Sequence, residues 1–338
     1  MTKPTVSVLV PTHQDAQLLP LALPVFAELG DSVEIIVINN DPAQDVQAIV
    51  ASCFPEARVV EMGFDSGFGR AMNVGIQHSR GEFVLILNAD VFLTPSYVPE
   101  MLGFLSRHPR AGCAGGKVYR YDLKRQARTD LIDTAGVRLG RSRRPMARGE
   151  GQPDRGEFDR EEEVFGVDGA GLFARRSALD SVRIGDEYFD SSFFLHKEDT
   201  DLCWRLRLAG WEIWYVPTAV GAHARTTRGL GELSYLSALR EFHRGAVEKS
   251  VLVQIHAMKN QWLMLTKNED ASNLLRDLPF VVAREIAVLA HNLIFAPRSL
   301  VAVREFLRLW GSAREKRKII KRRQGIRPRE MRPWLGRK

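Results

Sequence analysis

Four short apolar runs punctuate the first ninety residues, and each stops in polar residues. Val6–Val10 (VSVLV) runs into Pro11, Thr12 and His13. Residues 34–40 (EIIVINN) end at Asn39 and Asn40, with Asp41 next. RVVEM leads to Asp65, and residues 82–90 (EFVLILNAD) end in Asn88-Ala89-Asp90. Runs this short and continuous, bounded by turn residues, read as strands buried on both faces. VQAIVASCF and the glycine-rich GFGRAMNVGIQHSRG fall between them and carry helical patterning. Strand and helix alternating at this spacing predict βαβ units around a mostly parallel sheet, an α/β fold. Chemistry in such sheets gathers beyond the carboxyl ends of the strands. Packing alone does not require polar groups at four successive ends.

Size and composition agree. With 338 residues and 45% hydrophobic content the chain can bury a large core. Three scattered cysteines, Cys53, Cys113 and Cys203, form neither a CxxC pair nor a disulfide framework, which fits the cytosol. MTKPTVSVLVPT is no signal peptide, and no stretch of about 18 uninterrupted apolar residues predicts a membrane span. Net charge is +7, yet residues 311–338 alone hold twelve Lys or Arg against two Glu, a net of +10, so the rest is near −3. That basic tail reads either as a solvated, partly disordered end or as an attraction to an anionic surface. Nucleic acid is not expected, because no zinc finger, RNP-like pair or basic–aromatic interleaving accompanies the charge.

Further along, DAQLLPLALPVFAELG (15–30) reads as helical despite two prolines. Residues 120–163 are polar, charged and glycine-rich, a surface excursion or a mobile loop beside a cleft. VDGAG, with Asp168, Gly169 and Ala170, offers small residues where a substrate can approach the backbone. FFLHKEDTDLCWRLRLAGWEIW then places Glu198, Asp199 and Asp201 before an amphipathic helix, with Leu202 and Leu206 on one face, Arg205 and Arg207 turned away and Gly210 as the stop. A helix dipole explains one acid there, not three. From about residue 230 the chain reads as helical, with segments near 232–267, 271–295 and 297–320 packing on each other, on another subunit or at an interface.

Taken together, VSVLVPTHQD, IIVINND, GFGRAMNVGI…GEFVLILNAD and VDGAG…HKEDTDLCWRLRLAGWEIWYVP…AH are similar, in order and spacing, to the family 2 glycosyltransferases of GT-A fold, especially the bacterial rhamnosyltransferases, over residues 5–228. The resemblance implies a GT-A catalytic domain at 1–229, with a nucleotide-binding half at 1–90 and an acceptor half at 91–229, then a helical region at 230–310 and the tail. It implies transfer of a sugar from a nucleotide donor with inversion at the anomeric carbon. Pro11 and Thr12 then line the nucleotide pocket, with Asp65, Arg70 and Asn73 around base and phosphates. Asn39 stands where many members carry an aspartate, and an amide both donates and accepts.

Asn88-Ala89-Asp90 occupies the place of the family's DxD motif, keeping only the last acid. The resemblance assigns Asp90 and His223, 24 residues past Asp199, to a divalent cation, Mg²⁺ or Mn²⁺. It assigns Asp199 the role of general base, Glu198 a positioning role, Asp201 a cap or a hold on Arg205, and Arg225 and Arg228 the diphosphate charge. Asp168, Gly169 and Ala170 fall where donor sugar and acceptor meet. The implied donor is dTDP-L-rhamnose, with UDP-galactofuranose, UDP-GlcNAc or another UDP-hexose as alternatives. The implied acceptor is a saccharide or polyprenyl-linked sugar, handled at the inner face of the cell membrane. Two other readings explain less. A dinucleotide oxidoreductase lacks the GxGxxG spacing and leaves HKEDTD and His223 unused. A non-catalytic nucleotide-sugar-binding protein is supported only by the incomplete DxD.

Overall fold

The computed structural model describes residues 4–225 and 251–336. The strands are β1 (Val6–Thr12), β2 (Val33–Asn39), β3 (Arg58–Glu61), β4 (Phe83–Ile86), β5 (Val91–Leu93), β6 (Ala111–Asp122), β7 (Ala127–Thr134), β8 (Val137–Leu139), β9 (Pro145–Ala147), β10 (Glu162–Glu163), β11 (Leu172–Arg175) and β12 (Glu212–His223). The central sheet runs β10-β12-β6-β11-β4-β1-β2-β3. Strands β3, β2, β1 and β4 are parallel neighbours, as the alternating pattern predicts. Strand β11 is antiparallel to β4 and β6, and β12 returns parallel to β6. Mixed direction begins where the chain leaves the simple βαβ repeat.

Both faces of the sheet are covered, which is why the strands are apolar throughout. Val6, Val8 and Val10 of β1 point into a core shared with α1 (Val46–Cys53) and α3 (Tyr97–Arg107). Leu9 points the other way, onto Ala71, Met72 and Ile76 of α2 (Phe68–His78) and a core that includes Leu202 and Leu206 of α5 (Glu198–Leu208). This is the period of two of an extended strand. Helix α4 (Arg176–Val182) completes that layer.

Three expectations change. Residues 16–32 form short 3₁₀ and α turns instead of one helix, because Pro20 and Pro24 each remove a backbone donor. Residues 120–163 are not a coreless excursion: β7 pairs with the extended end of β6, β8 pairs with β9, and Ile132, Asp133, Val137, Leu139 and Arg143 are buried. Helix α5 is not amphipathic, since Arg205 and Arg207 are as buried as Leu202. Arg205 binds Asp201 at 3.0 Å and the carbonyls of Val182 and Tyr188; Arg207 binds Glu163 and three backbone carbonyls. Gly210, at φ +95°, does end the helix.

The C-terminal region comprises α6 (Val251–Asn268), α7 (Ala271–Phe295), α8 (Val301–Arg322) and a 3₁₀ turn at Pro328–Trp334. The predicted helical stretch at 232–250 and Arg228 lie outside the described residues. Up to residue 336 the basic tail is ordered against the domain. Ala313, Ile320, Met331 and Leu335 join Phe165, Trp204 and Leu208 in a third core, and the Arg207 guanidinium lies 3.6 Å over the Trp334 ring. Arg143, fully buried, reaches Glu269 at 2.5 Å, Asp277 at 2.9 Å and the Asn273 carbonyl at 3.1 Å, fastening the helices to the 120–163 segment.

Candidate active site

Register builds the first half of the site. The end of β12 pairs with β5 so that His223 faces Val91, and the Ala224 amide donates to the Asp90 carbonyl at 2.9 Å. That pairing sets His223 Nε2 3.2 Å from Asp90 Oδ1. On its other side His223 Nδ1 lies 3.0 Å from Asp133 Oδ2, and Asp133 Oδ1 also accepts from Arg225 Nε. Arg225 Nη1 lies 3.2 Å from Glu150. Burial disfavours the imidazolium, but hydrogen bonds and charge from Asp133 and Asp90 outweigh it and push the His223 pKa up to about 9. Burial alone would raise Asp133; His223 and Arg225 hold it below the usual carboxylate range.

The second half comes from the turn before α5. Asp199 Oδ1 accepts from the Thr200 amide at 2.5 Å and its hydroxyl at 3.2 Å, and Asp199 Oδ2 accepts from the Gly169 amide at 3.1 Å. A carboxylate has about four acceptor sites. One on Oδ2 is left over among the described residues. Burial pushes the Asp199 carboxyl up, which strengthens it as a base. Asp168 accepts from the Ala170 amide at 3.1 Å, and its pKa is pushed up to about 6 by burial and by the charges of Asp133 and Asp199, against the pull of His223 and Arg225. Asp168 therefore lies electrostatically between the two halves. Glu198 behaves differently: its Oε2 has no partner among the described residues, and burial with the Asp199 charge pushes its pKa up to about 8. At neutral pH it is a neutral acid, not a base.

The turn carrying these acids is held from outside the domain. His196 and Lys197 both have φ of +69°, a conformation that costs non-glycine residues about 1–3 kcal/mol each. Helix α6 supports it: Asn260 Nδ2 donates to the Leu195 and His196 carbonyls at 2.7 Å, Lys259 to the Ser192 carbonyl at 2.7 Å, and Lys197 to the Ala257 carbonyl. Lys267, fully buried, lies 2.6 Å from Asp190 and 2.9 Å from Asp201. The glycine-rich turn before α2 docks here too. A Cβ on Gly67 would lie 2.4 Å from the Phe194 carbonyl oxygen, and the Phe68 amide donates to that oxygen at 3.0 Å. Gly67 is thus spent on close approach to the turn before α5.

At the carboxyl end of β1, Thr12 is buried and Pro11 half-buried. Asn39 is occupied: its Nδ2 donates to Glu61 at 2.7 Å and the Gln44 carbonyl at 3.2 Å, and its Oδ1 accepts from the Asp41 amide at 3.0 Å. Asn40, named above only as a strand-end residue, holds the 65–67 loop through Asp65 at 3.1 Å and Ser66 at 2.7 Å. Asp65 keeps an exposed carboxyl near His13. Arg70 is exposed, stacked 5.7 Å over Phe64. Asn73 is buried, and its amide binds the backbone of Tyr188 and Phe189 at 2.8–2.9 Å. Asn88 is half-buried and Ala89 buried, so the DxD-like turn presents Asp90 as its one acid. Sequence reasoning also missed Asp133, Asn260 and Lys267. The first lies in a segment read as surface, and the others look like ordinary helix polars.

The glycosyl transferase family 2 profile matches residues 7–182, just over half of the chain. The chain belongs to that family, and its fold is GT-A. More particularly, it is similar to the N-acetylglucosaminyl-diphospho-decaprenol L-rhamnosyltransferase of Mycobacterium tuberculosis, 30% identical over 227 residues covering 61% of this chain and 71% of the relative. Among solved structures it is similar to GalNAc-T7 with UDP, GalNAc and Mn²⁺ (TM-score 0.55, 13% identity, 81% of this chain and 54% of that one). It is also similar to the mannosyltransferase PcManGT of Pyrobaculum calidifontis with GDP-Man and Mn²⁺ (TM-score 0.52, 17% identity, 95% of this chain and 85% of that one). At these identities the solved structures speak to fold alone.

Proposed function

We propose that this glycosyltransferase moves L-rhamnose from dTDP-L-rhamnose to a hydroxyl of a lipid-linked sugar acceptor, by single displacement with inversion, using a divalent cation. The observation that carries the chemistry is Asp199: a half-buried carboxylate with raised basicity, two oxygens fixed by amides and one acceptor site left open. The acceptor hydroxyl gives its proton to Asp199 Oδ2 as its oxygen bonds to the anomeric carbon. The bond from that carbon to the diphosphate breaks with its electron pair on the leaving oxygen. No enzyme nucleophile is needed for inversion. Asp168 and Gly169 line the meeting place, and the Gly169 amide holds the base on line.

Asp90 and His223 fit a divalent cation in donor type and spacing. Asp133 behind His223 Nδ1 leaves Nε2 aimed at Asp90, the outer-shell arrangement common for ligating histidines. Asp90 and His223 would hold the cation, two protein donors where such an ion takes more. When bound, it offsets charge developing on the leaving diphosphate. Arg225 is tied to Asp133 and Glu150, so its first role is to orient that carboxylate. The choice of sugar and acceptor rests on the mycobacterial relative. Nucleotide release from dTDP-L-rhamnose, UDP-galactofuranose, UDP-GlcNAc and UDP-hexoses, each with and without Mn²⁺ and with a polyprenyl-diphosphate sugar acceptor, tests it. Mass analysis identifies the product. Preference for a UDP-sugar overturns the donor assignment, and metal-independent turnover overturns the role of Asp90 and His223.

A further inference from the structure

Helix α7 is built inside out. Three of its four buried positions are polar, Asn273, Asp277 and Asn292 beside Val281, and the half-buried Glu285 accepts from the indole of Trp262 at 2.7 Å. Asp277 receives Arg141 at 2.8 Å and Arg143 at 2.9 Å, while Asn292 reaches the Met258 sulfur at 2.6 Å. Its outward positions are apolar. Leu275 and Ile294 are each 69% exposed, Leu293 63% and Ile286 61%. Contrary to the sequence expectation, the helix is long and apolar enough to cross a membrane by length and composition, yet only 11% of its most apolar window is buried. Water-soluble surfaces carry scattered apolar residues, not an inverted helix.

The pattern continues past the turn into α8. Val303, Leu307 and Trp310 are exposed at helical spacing beside exposed Arg304 and Arg308, and Arg314 lies 5.8 Å over the Trp310 ring. Residues 296–310, the turn and the first half of α8, hold Arg298, Arg304 and Arg308, all exposed, against Glu305, 3 − 1 = +2. An apolar face set in cationic surroundings is complementary to a bilayer interface with anionic headgroups. We propose that the outward face of α7 and the first half of α8 lies in the plane of an anionic lipid surface, with its apolar side chains at the acyl boundary. The half-buried Arg284 and Glu285 pair at mid-helix, and the ionic seam to Arg141 and Arg143, hold α7 against the protein and not across the bilayer. The proposal does not depend on the donor sugar, and it moves the membrane contact from the tail, which is packed, to the helices before it.

The full chain is sedimented with vesicles of phosphatidylcholine alone and of phosphatidylcholine mixed with phosphatidylglycerol. Binding is expected to the mixed vesicles, to weaken in high salt and to be released by an alkaline wash. The exposed triple variant Leu293→Gln, Ile294→Gln, Phe295→Gln folds and keeps donor hydrolysis, while its vesicle affinity falls at least about a hundredfold. Brominated lipid quenches the wild type more than Trp310→Phe. Equal binding by wild type and triple variant overturns the proposal, as does retention through the alkaline wash, which marks a span. Absence of vesicle binding together with a dimer that the triple variant dissociates overturns it in favour of a second copy. Donor hydrolysis failing in all forms sinks the proposed reaction while leaving the lipid result standing.

Discussion

Lys267→Met removes a cation from the seam between α6 and the start of α5. Lys267 Nζ lies 2.6 Å from Asp190, 2.9 Å from Asp201 and 4.5 Å over the Phe193 ring, and is fully buried. Stripping a buried carboxylate of its partner costs about 3–5 kcal/mol. Here neither acid is left bare. Asp190 keeps Lys316 at 2.6 Å, and Asp201 keeps Arg205 at 3.0 Å and Asn268 at 2.7 Å. The expected loss is therefore about 2–4 kcal/mol, or roughly 4–16 °C in Tm at about 2–4 °C per kcal/mol. Burial alone would raise the Asp190 pKa, but Lys267 and Lys316 hold it far below the ordinary value of 3.8. A depressed carboxylate contributes stability that is present above its unfolded pKa and lost as pH falls through the folded one. The variant's deficit is then largest at neutral pH and narrows below about pH 4. Asp201 lies in the first turn of α5, two residues from the proposed base, so turnover falls about tenfold or more with donor affinity less affected. Urea unfolding by circular dichroism from pH 3 to 7, with kcat and KM, reads all three. A deficit below about 1 kcal/mol, or one unchanged down to pH 3, refutes the reasoning.

Asp199→Asn keeps shape but loses the base, so kcat falls roughly 10²–10⁴-fold at near-normal donor affinity by titration calorimetry; near wild-type transfer returns HKEDTD to helix capping. Glu198 has a pKa raised from 4.5 to about 8, so its burial makes wild-type stability decline as pH rises between those values. Glu198→Gln flattens that decline in a pH series of unfolding curves, gaining at most about 4–5 kcal/mol at pH 8. Asp133→Asn lowers the His223 pKa, read by NMR titration, and weakens half-maximal Mn²⁺ for turnover roughly 10–100-fold; unchanged values of both discard Asp133 as its orienting group. Deleting 311–338 removes Ala313, Ile320, Met331 and Leu335 from the third core and Lys316 from Asp190, so thermal unfolding falls markedly and donor hydrolysis with it. Intact stability after deletion contradicts that packing.

The local code was enough for the parallel half of the sheet. Continuous apolar strands with polar ends at Thr12, Asn39 and Asp90 can satisfy both a two-faced core and a functional edge in few ways, and β1 to β4 follow them. Local signals also marked HKEDTD, while His223 came from the family resemblance. Tertiary structure decided which partner each of these residues meets. Asp133 lies 90 residues from His223 in sequence, and only the β6–β7 pairing brings it to Nδ1. Lys267 and Asn260 have no catalytic signature; their meaning is that a turn with two left-handed residues needs outside donors to hold it. Asn73 carried a pocket signature, and the fold spent its amide on the backbone of Tyr188 and Phe189. A sequence pattern fixes which face of an element is apolar, but pairing across long separations is set by packing and loop closure, which no short window records. For α7 even the apolar face was misleading: most of its apolar residues turn away from the protein, and the buried Asn273, Asp277, Val281 and Asn292 show which side faces inward.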